Sequence, residues 1–251
     1  MLRVALIGEL AAEGDGRPIA PPASRRAWAL LGFLALHPGL HARSMVAARF
    51  WPDVLDVSAR RSMRSALWAL RRALGPACDG VLAGTRDRVG LLPGPGLWID
   101  REAFCTLVAQ DRLEEAVALC RGDLLAGLDD PWALEAADEH RERLGTVLGA
   151  LAARAGAAGD HRSAVAWARR AVAVDGLSEH HVRLLMRRLA AAGDGAAALA
   201  AFARLEERLA RELGVGPSLA TREVAMEIRA AGSMLHARMG ALSYSQPPGL
   251  R

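Results

Sequence analysis

From Asp100 onward, apolar residues recur at helical spacing almost without interruption. The breaks fall at Arg121 to Pro131, Gly156 to Asp160, Asp175 to Ser178, Gly193 to Gly195 and Gly214 to Pro217. A segment patterned in this way buries its apolar stripes by stacking helix on helix. The first 99 residues read differently. Leu2 to Ile7 is strand-like and leads through an acidic, glycine-rich turn to a short return near Ile19. Three helical segments follow: one capped by Ser24 and ending at Leu36, a short one from Ser44 to Phe50, and a long one from about Ala59 to Leu74, with Asp53 to Ser58 as a capping connection. Val81 to Ile99 then returns to short strands and tight turns.

Charge divides at the same place. Residues 1–100 hold 13 Arg against 8 acidic residues, and residues 101–251 hold 19 against 20. The excess positive charge therefore lies in the first part, which suggests a polyanionic partner for that part alone. The chain has no lysine. Phosphate loops of the Walker type and Schiff-base or pyridoxal chemistry are thereby excluded. Cys78, Cys105 and Cys120 are widely spaced and suggest neither a disulfide framework nor a zinc site. No run of 18 apolar residues is present, so the expectation is a soluble cytoplasmic protein with no membrane partner.

The segment from Ala59 to Leu74 carries the sharpest signal. On a helical projection Arg60, Arg61, Arg64, Ser65, Trp68, Arg71 and Arg72 share one arc, and Met63, Ala66, Leu67, Leu70, Ala73 and Leu74 share the other. No acidic residue occurs between Asp56 and Asp79, so these arginines lack local partners in sequence. An isolated arginine-rich helix is more often a solvated surface. Here, however, it is the third helix in a strand, three-helix, hairpin order, and the turn that follows carries Arg86 and Arg88. That is the order of a winged helix, in which the third helix enters the major groove of double-stranded DNA. The DNA-contacting set is then Arg60, Arg61, Arg64, Ser65, Trp68, Arg71, Arg72, Arg86 and Arg88. Trp68 has two readings, packing against the wing or meeting a sugar or thymine methyl.

In the helical part, AAGDHRSAVAWARRAV and AAGDGAAALAAFARLE repeat one another at an offset of about 34 residues, the tetratricopeptide period. Ala164 then corresponds to Ala198 and Ala168 to Phe202. Other groupings are weaker. The 7 histidines show no ligand spacing, Asp129-Asp130 and Asp138-Glu139 read as helix-end and surface acids, and Ser178 before His180 reads as a helix cap. Neither catalytic residues, a metal site nor a cofactor is expected, and the chain does not read as an enzyme.

LLGFLALHPG, the FWPD at 50–53 and ALWALRRALG at 66–75 together resemble the OmpR-type winged helix at the front of SARP-family activators (Streptomyces antibiotic regulatory proteins). RGDLLAGLDDPW, SEHHVRLLMRRLAAAGD and ERLARELGVGPS resemble the bacterial transcriptional activator domain that follows it. The resemblance covers about residues 1–230. It departs from the pattern at Ala42, where a capping Ser is common, at Cys120 for Trp, at Gly176 for Pro and at Phe202 for Tyr. Its implications are a mainly α chain, with a winged helix-turn-helix over residues 1–100 and a TPR-like activator domain over 101–235, and the composition of the last residues adds a disordered tail over 236–251. It is similar to the short members without an ATPase domain. The function implied is a pathway-specific, sequence-specific transcriptional activator that binds promoter direct repeats as a homodimer and recruits RNA polymerase holoenzyme. The alternative is a TPR-like interaction adaptor with a non-specific basic domain.

Overall fold

The computed structural model describes residues 1–243. It opens with three short strands, β1 (Leu2–Ala5), β2 (Ala11–Gly14) and β3 (Arg17–Pro18). Helix α1 (Arg25–Leu36) follows, with the Ser24 side chain accepting a hydrogen bond from the amide of Ala27. Every residue from Ala27 to Leu36 is buried, so this helix is the core on which the N-terminal unit assembles. Strand β4 (His41–Ala42) leads into α2 (Arg43–Phe50), and α3 spans Asp56–Leu74. A 3-10 turn over Gly75–Cys78 and three strands complete this part: β5 (Leu82–Gly84), β6 (Arg88–Leu91) and β7 (Leu97–Ile99). This is a winged helix with small sheets.

Two sheets form where the sequence suggested consecutive hairpins. β5 and β6 pair antiparallel, as expected of a wing, and the third strand beside them is β4. β7 leaves the wing and joins the N-terminal sheet, running parallel to β1 in the order β3-β2-β1-β7. Asp100 holds that arrangement in place. Its buried carboxylate accepts the amides of Leu6 at 2.8 Å and Ile7 at 2.9 Å. Burial raises its pKa above the ordinary value while these amides work in the opposite direction.

The remaining elements are helices: α4 (Asp100–Ala109), α5 (Leu113–Leu119), α6 (Pro131–Ala157), α7 (His161–Val174), α8 (Glu179–Ala191), α9 (Gly195–Leu213) and α10 (Leu219–Ser243). By compactness the chain divides into Met1–His140 and Arg141–Arg251. The first unit thus extends past residue 100, since α4 packs on β1 and β7. Of the tail expected from residue 236, α10 accounts for the stretch to Ser243, and residues 244–251 lie outside the described residues.

In the second unit the repeated turns are built alike. Gly159 and Gly193 adopt positive φ, and the following Asp160 and Asp194 cap their helices by accepting the amides of Ser163 and Ala197, each at 2.9 Å. Ser178 caps α8 through the amide of His181. Ala164, Ala168 and Ala198 are fully buried, and Phe202 lies with Val182, Leu185, Met186 and Leu205 in one apolar cluster. These small residues let α7, α8 and α9 approach closely. Gly176 has a local reason too: a Cβ there would collide with the guanidinium of Arg208, which rests against its backbone.

Candidate nucleic-acid interface

Helix α3 begins three residues earlier than its pattern suggests. Leu55 is the N-cap and makes no side-chain cap, so Ser58 does not serve in that role. Asp56 stands in the first turn, where the helix dipole favours a carboxylate. This start corrects one electrostatic expectation. Asp56 lies one turn before Arg60 and meets it at 3.7 Å, so Arg60 has a local partner, although an exposed and therefore weak one.

The two arcs are otherwise as the projection gives them. Ala59, Met63, Ala66, Leu67, Leu70 and Leu74 are buried against α1 and α2, while Arg60, Arg61, Arg64, Ser65, Trp68, Arg71 and Arg72 are exposed. Ala73 is half-buried at the border. The exposed arc has two flanks. On one, Arg60 and Arg64 share a cavity of about 550 Å³ with Arg86 and Arg88 of the wing. On the other, Arg61, Ser65 and Trp68 border a hollow shared with Arg26 and Trp51.

Trp68 is 63% exposed. Packing beneath the wing is therefore not its role, and its ring instead carries the Arg72 guanidinium 5.4 Å from the centroid. Arg71 turns toward the protein. Its Nη2 donates to the carbonyl oxygen of Leu82 at 3.3 Å, joining the last turn of α3 to β5.

Two residues absent from the sequence-based set complete the wing-side cavity, Arg43 and Ser44 at the start of α2. Arg43 Nε donates to the Arg88 carbonyl at 3.3 Å, and its amide donates to that of Asp87 at 2.8 Å. A methyl group placed on Gly84 would lie 3.1 Å from Nη2 of Arg43 and 3.2 Å from Nη2 of Arg71, so both guanidiniums converge beside the wing at Gly84. The N-cap of α2 is Ala42, which offers no side-chain acceptor to the first amides of that helix. The Asp87 carbonyl takes the Arg43 amide, and the amides that follow it, beside an arginine and a serine, can meet an anion. The visible signal was the Arg-Ser pair opening a short helix. Thr85 Oγ1 fixes the wing turn by accepting the amides of Asp87 and Arg88 at 3.3 and 3.0 Å.

The arrangement is thus a cationic cleft between a helix and a hairpin, lined in part by Ala42, Val57 and Met63, with five guanidiniums against the one carboxylate of Asp87. Among the described residues, no group of three or more His, Cys, Asp or Glu is placed to hold a metal ion, and no helix is long and apolar enough to cross a membrane.

Comparison with known proteins agrees with this architecture. Residues 105–229 match the family described as bacterial transcriptional activator domain. Among solved structures, Mycobacterium tuberculosis EmbR in complex with low affinity phosphopeptide is similar in fold, with TM-score 0.70 at 21% sequence identity over 96% of this chain and 71% of that one. No curated protein matches. Residues 105–229 are thus similar to a bacterial transcriptional activator domain, and the likeness to the solved structure extends over the winged helix before it and the helices that follow.

Proposed function

We propose that the chain is a SARP-type transcriptional activator that binds double-stranded DNA through α3 and its wing, with the cationic cleft as the contact surface. The observation that carries the reading is the convergence of Arg43, Arg60, Arg64, Arg86 and Arg88 on one open cavity beside the exposed arc of α3. In a major-groove pose the N-terminal half of α3 faces base edges. Arg61, Arg64 and Ser65 then read sequence, with Trp68 offering a flat apolar surface to a sugar or thymine methyl. Arg72, Arg86, Arg88 and Arg43 neutralise phosphates, helped by the amides that follow Arg43 in the first turn of α2. Arg71 supports them by holding the wing at its distance from α3.

The activator domain then supplies protein contacts. In this reading two copies form a homodimer on a promoter direct repeat and recruit RNA polymerase holoenzyme, with the chain acting in the cytoplasm on the nucleoid. Selection of bound duplexes from a random DNA pool tests it. A direct repeat of one short element is the expected product. Recovery of unenriched sequences would instead favour the adaptor with a non-specific basic domain.

A further inference from the structure

A second cavity in the N-terminal unit lies apart from the cationic cleft and is built from different chemistry. It holds about 360 Å³ and is walled by Phe33 of α1, Met45 of α2, and Trp132 and Ala136 of α6. Phe33 organises the wall. Its ring meets Trp132 edge-on at 5.4 Å, His37 at 4.9 Å and His41 at 5.9 Å, and the Arg49 guanidinium sits 5.7 Å from its centroid. The polar rim draws on three helices, with Arg49 on α2, Arg101 on α4, and Glu135 and Glu139 one turn apart on α6.

The charges on this rim balance without neutralising one another. Among the described residues, neither guanidinium pairs with Glu135 or Glu139, and the only ion pair on any of the four is Arg101 with its sequence neighbour Glu102 at 3.4 Å. The buried indole N–H of Trp132 also has no acceptor among the described residues. A buried indole donor with no acceptor, set in an aromatic wall, is costly to keep unless something occupies the space, and largely exposed charges of both signs stand at its rim. A polyanion is disfavoured by the two carboxylates, and the volume suits a molecule with one ring. We propose that this cavity binds a free aromatic amino acid, its ring against Phe33 and Trp132, its carboxylate toward Arg49 and Arg101, and its ammonium toward Glu135 and Glu139.

Occupancy has a route to the wing. His41 lines the cavity and is also a residue of β4, where it pairs with Val89 of β6 while Ala42 pairs with Arg88. A ligand that shifts His41 therefore shifts the strand that carries the wing arginine, which rests on the DNA-binding reading above.

Equilibrium dialysis of the full chain against radiolabelled L-phenylalanine tests the site. The expected result is saturable binding of one molecule per chain, displaced at least tenfold less well by phenylacetate, which lacks the ammonium, and by phenethylamine, which lacks the carboxylate. Glu139→Gln and Arg49→Gln, both at exposed positions, should each weaken binding at least tenfold while the variants remain folded by circular dichroism. No saturable binding, or undiminished binding in both variants, overturns the site. DNA affinity is then measured with and without saturating L-phenylalanine. A changed affinity supports the coupling, and an unchanged one with binding intact overturns the coupling. Loss of all DNA binding in the untreated chain counts against the reading of α3 and leaves the dialysis result standing.

Discussion

Arg71 Nη2 and the carbonyl oxygen of Leu82 meet at 3.3 Å, so the last turn of the basic helix is tied to the first strand of the wing by one of its own arginines. On the sequence this residue belonged to the DNA-contacting set, because it shares an arc with Arg60 and Arg64. The structure gives it a second task, setting the spacing of the cleft. Arg71→Ala should lower stability by about 0.5–1.5 kcal/mol, the usual net worth of one hydrogen bond, and weaken DNA binding on all sequences alike. Thermal denaturation beside a binding titration checks both. Weaker binding with an unchanged melting temperature would make Arg71 a phosphate contact only.

Trp68 makes the opposite case. With 63% of its surface exposed, its removal leaves no cavity, and Trp68→Ala should change stability by less than about 0.5 kcal/mol. DNA affinity should fall, because a large exposed aromatic beside a basic arc has its contacts in the complex. A variant that melts early but binds DNA normally would show that the residue serves packing.

In the second unit, Ala164 and Ala198 hold equivalent, fully buried positions in successive repeats. Ala164→Trp or Ala198→Trp should overpack the helix contact and destabilise the unit by about 1–3 kcal/mol. Activation in a reporter assay should drop with it. Chemical denaturation of the two variants measures the effect, and an unchanged midpoint in both would contradict the stacking described above.

Glu179 gives a pH dependence. Partial burial works to raise its pKa, yet the hydroxyl and amide of Ser218, at 2.6 and 2.9 Å, together with Thr221 and the Arg183 guanidinium, outweigh that and hold it below its ordinary value of 4.5. A carboxylate with a depressed folded-state pKa contributes stability above its unfolded value and loses it as pH falls through the folded one. Unfolding free energy should therefore decline on the acid side of pH 4.5, and Glu179→Gln should remove part of that decline while lowering stability at pH 7. Denaturation midpoints at the two pH values read the difference. Parallel curves for the two proteins would rule the contact out as a source of acid sensitivity.

What was legible in the sequence was local. The Ser24 cap, the paired Gly-Asp turns at 159–160 and 193–194, and the two arcs of α3 each depend on residues within a turn or two of one another. What was not legible depends on partners far along the chain. Leu97–Ile99 carries a strand pattern but nothing that directs it to β1, 95 residues earlier, in place of the adjacent wing. His41–Ala42 is too short to show a strand pattern and becomes one only beside β6. The roles of Arg43 and Arg71 are likewise set by main-chain carbonyls that come within reach on folding. The early start of α3 was missed because Leu55 caps without a side-chain hydrogen bond, leaving no capping residue to mark it.

The central claim, that the N-terminal half of α3 reads bases while its C-terminal end and the wing bind phosphates, is tested most directly by competition binding. The measurement compares the wild type, Arg64→Ala and Arg72→Ala on matched and mismatched duplexes at two salt concentrations. Arg64→Ala should cost about 1–3 kcal/mol on the preferred site and relax selectivity at one or two base positions. Arg72→Ala should weaken matched and mismatched sites equally and reduce the salt slope by roughly one counterion. An Arg64→Ala protein that loses the same affinity on every sequence, or loses none, would contradict the account.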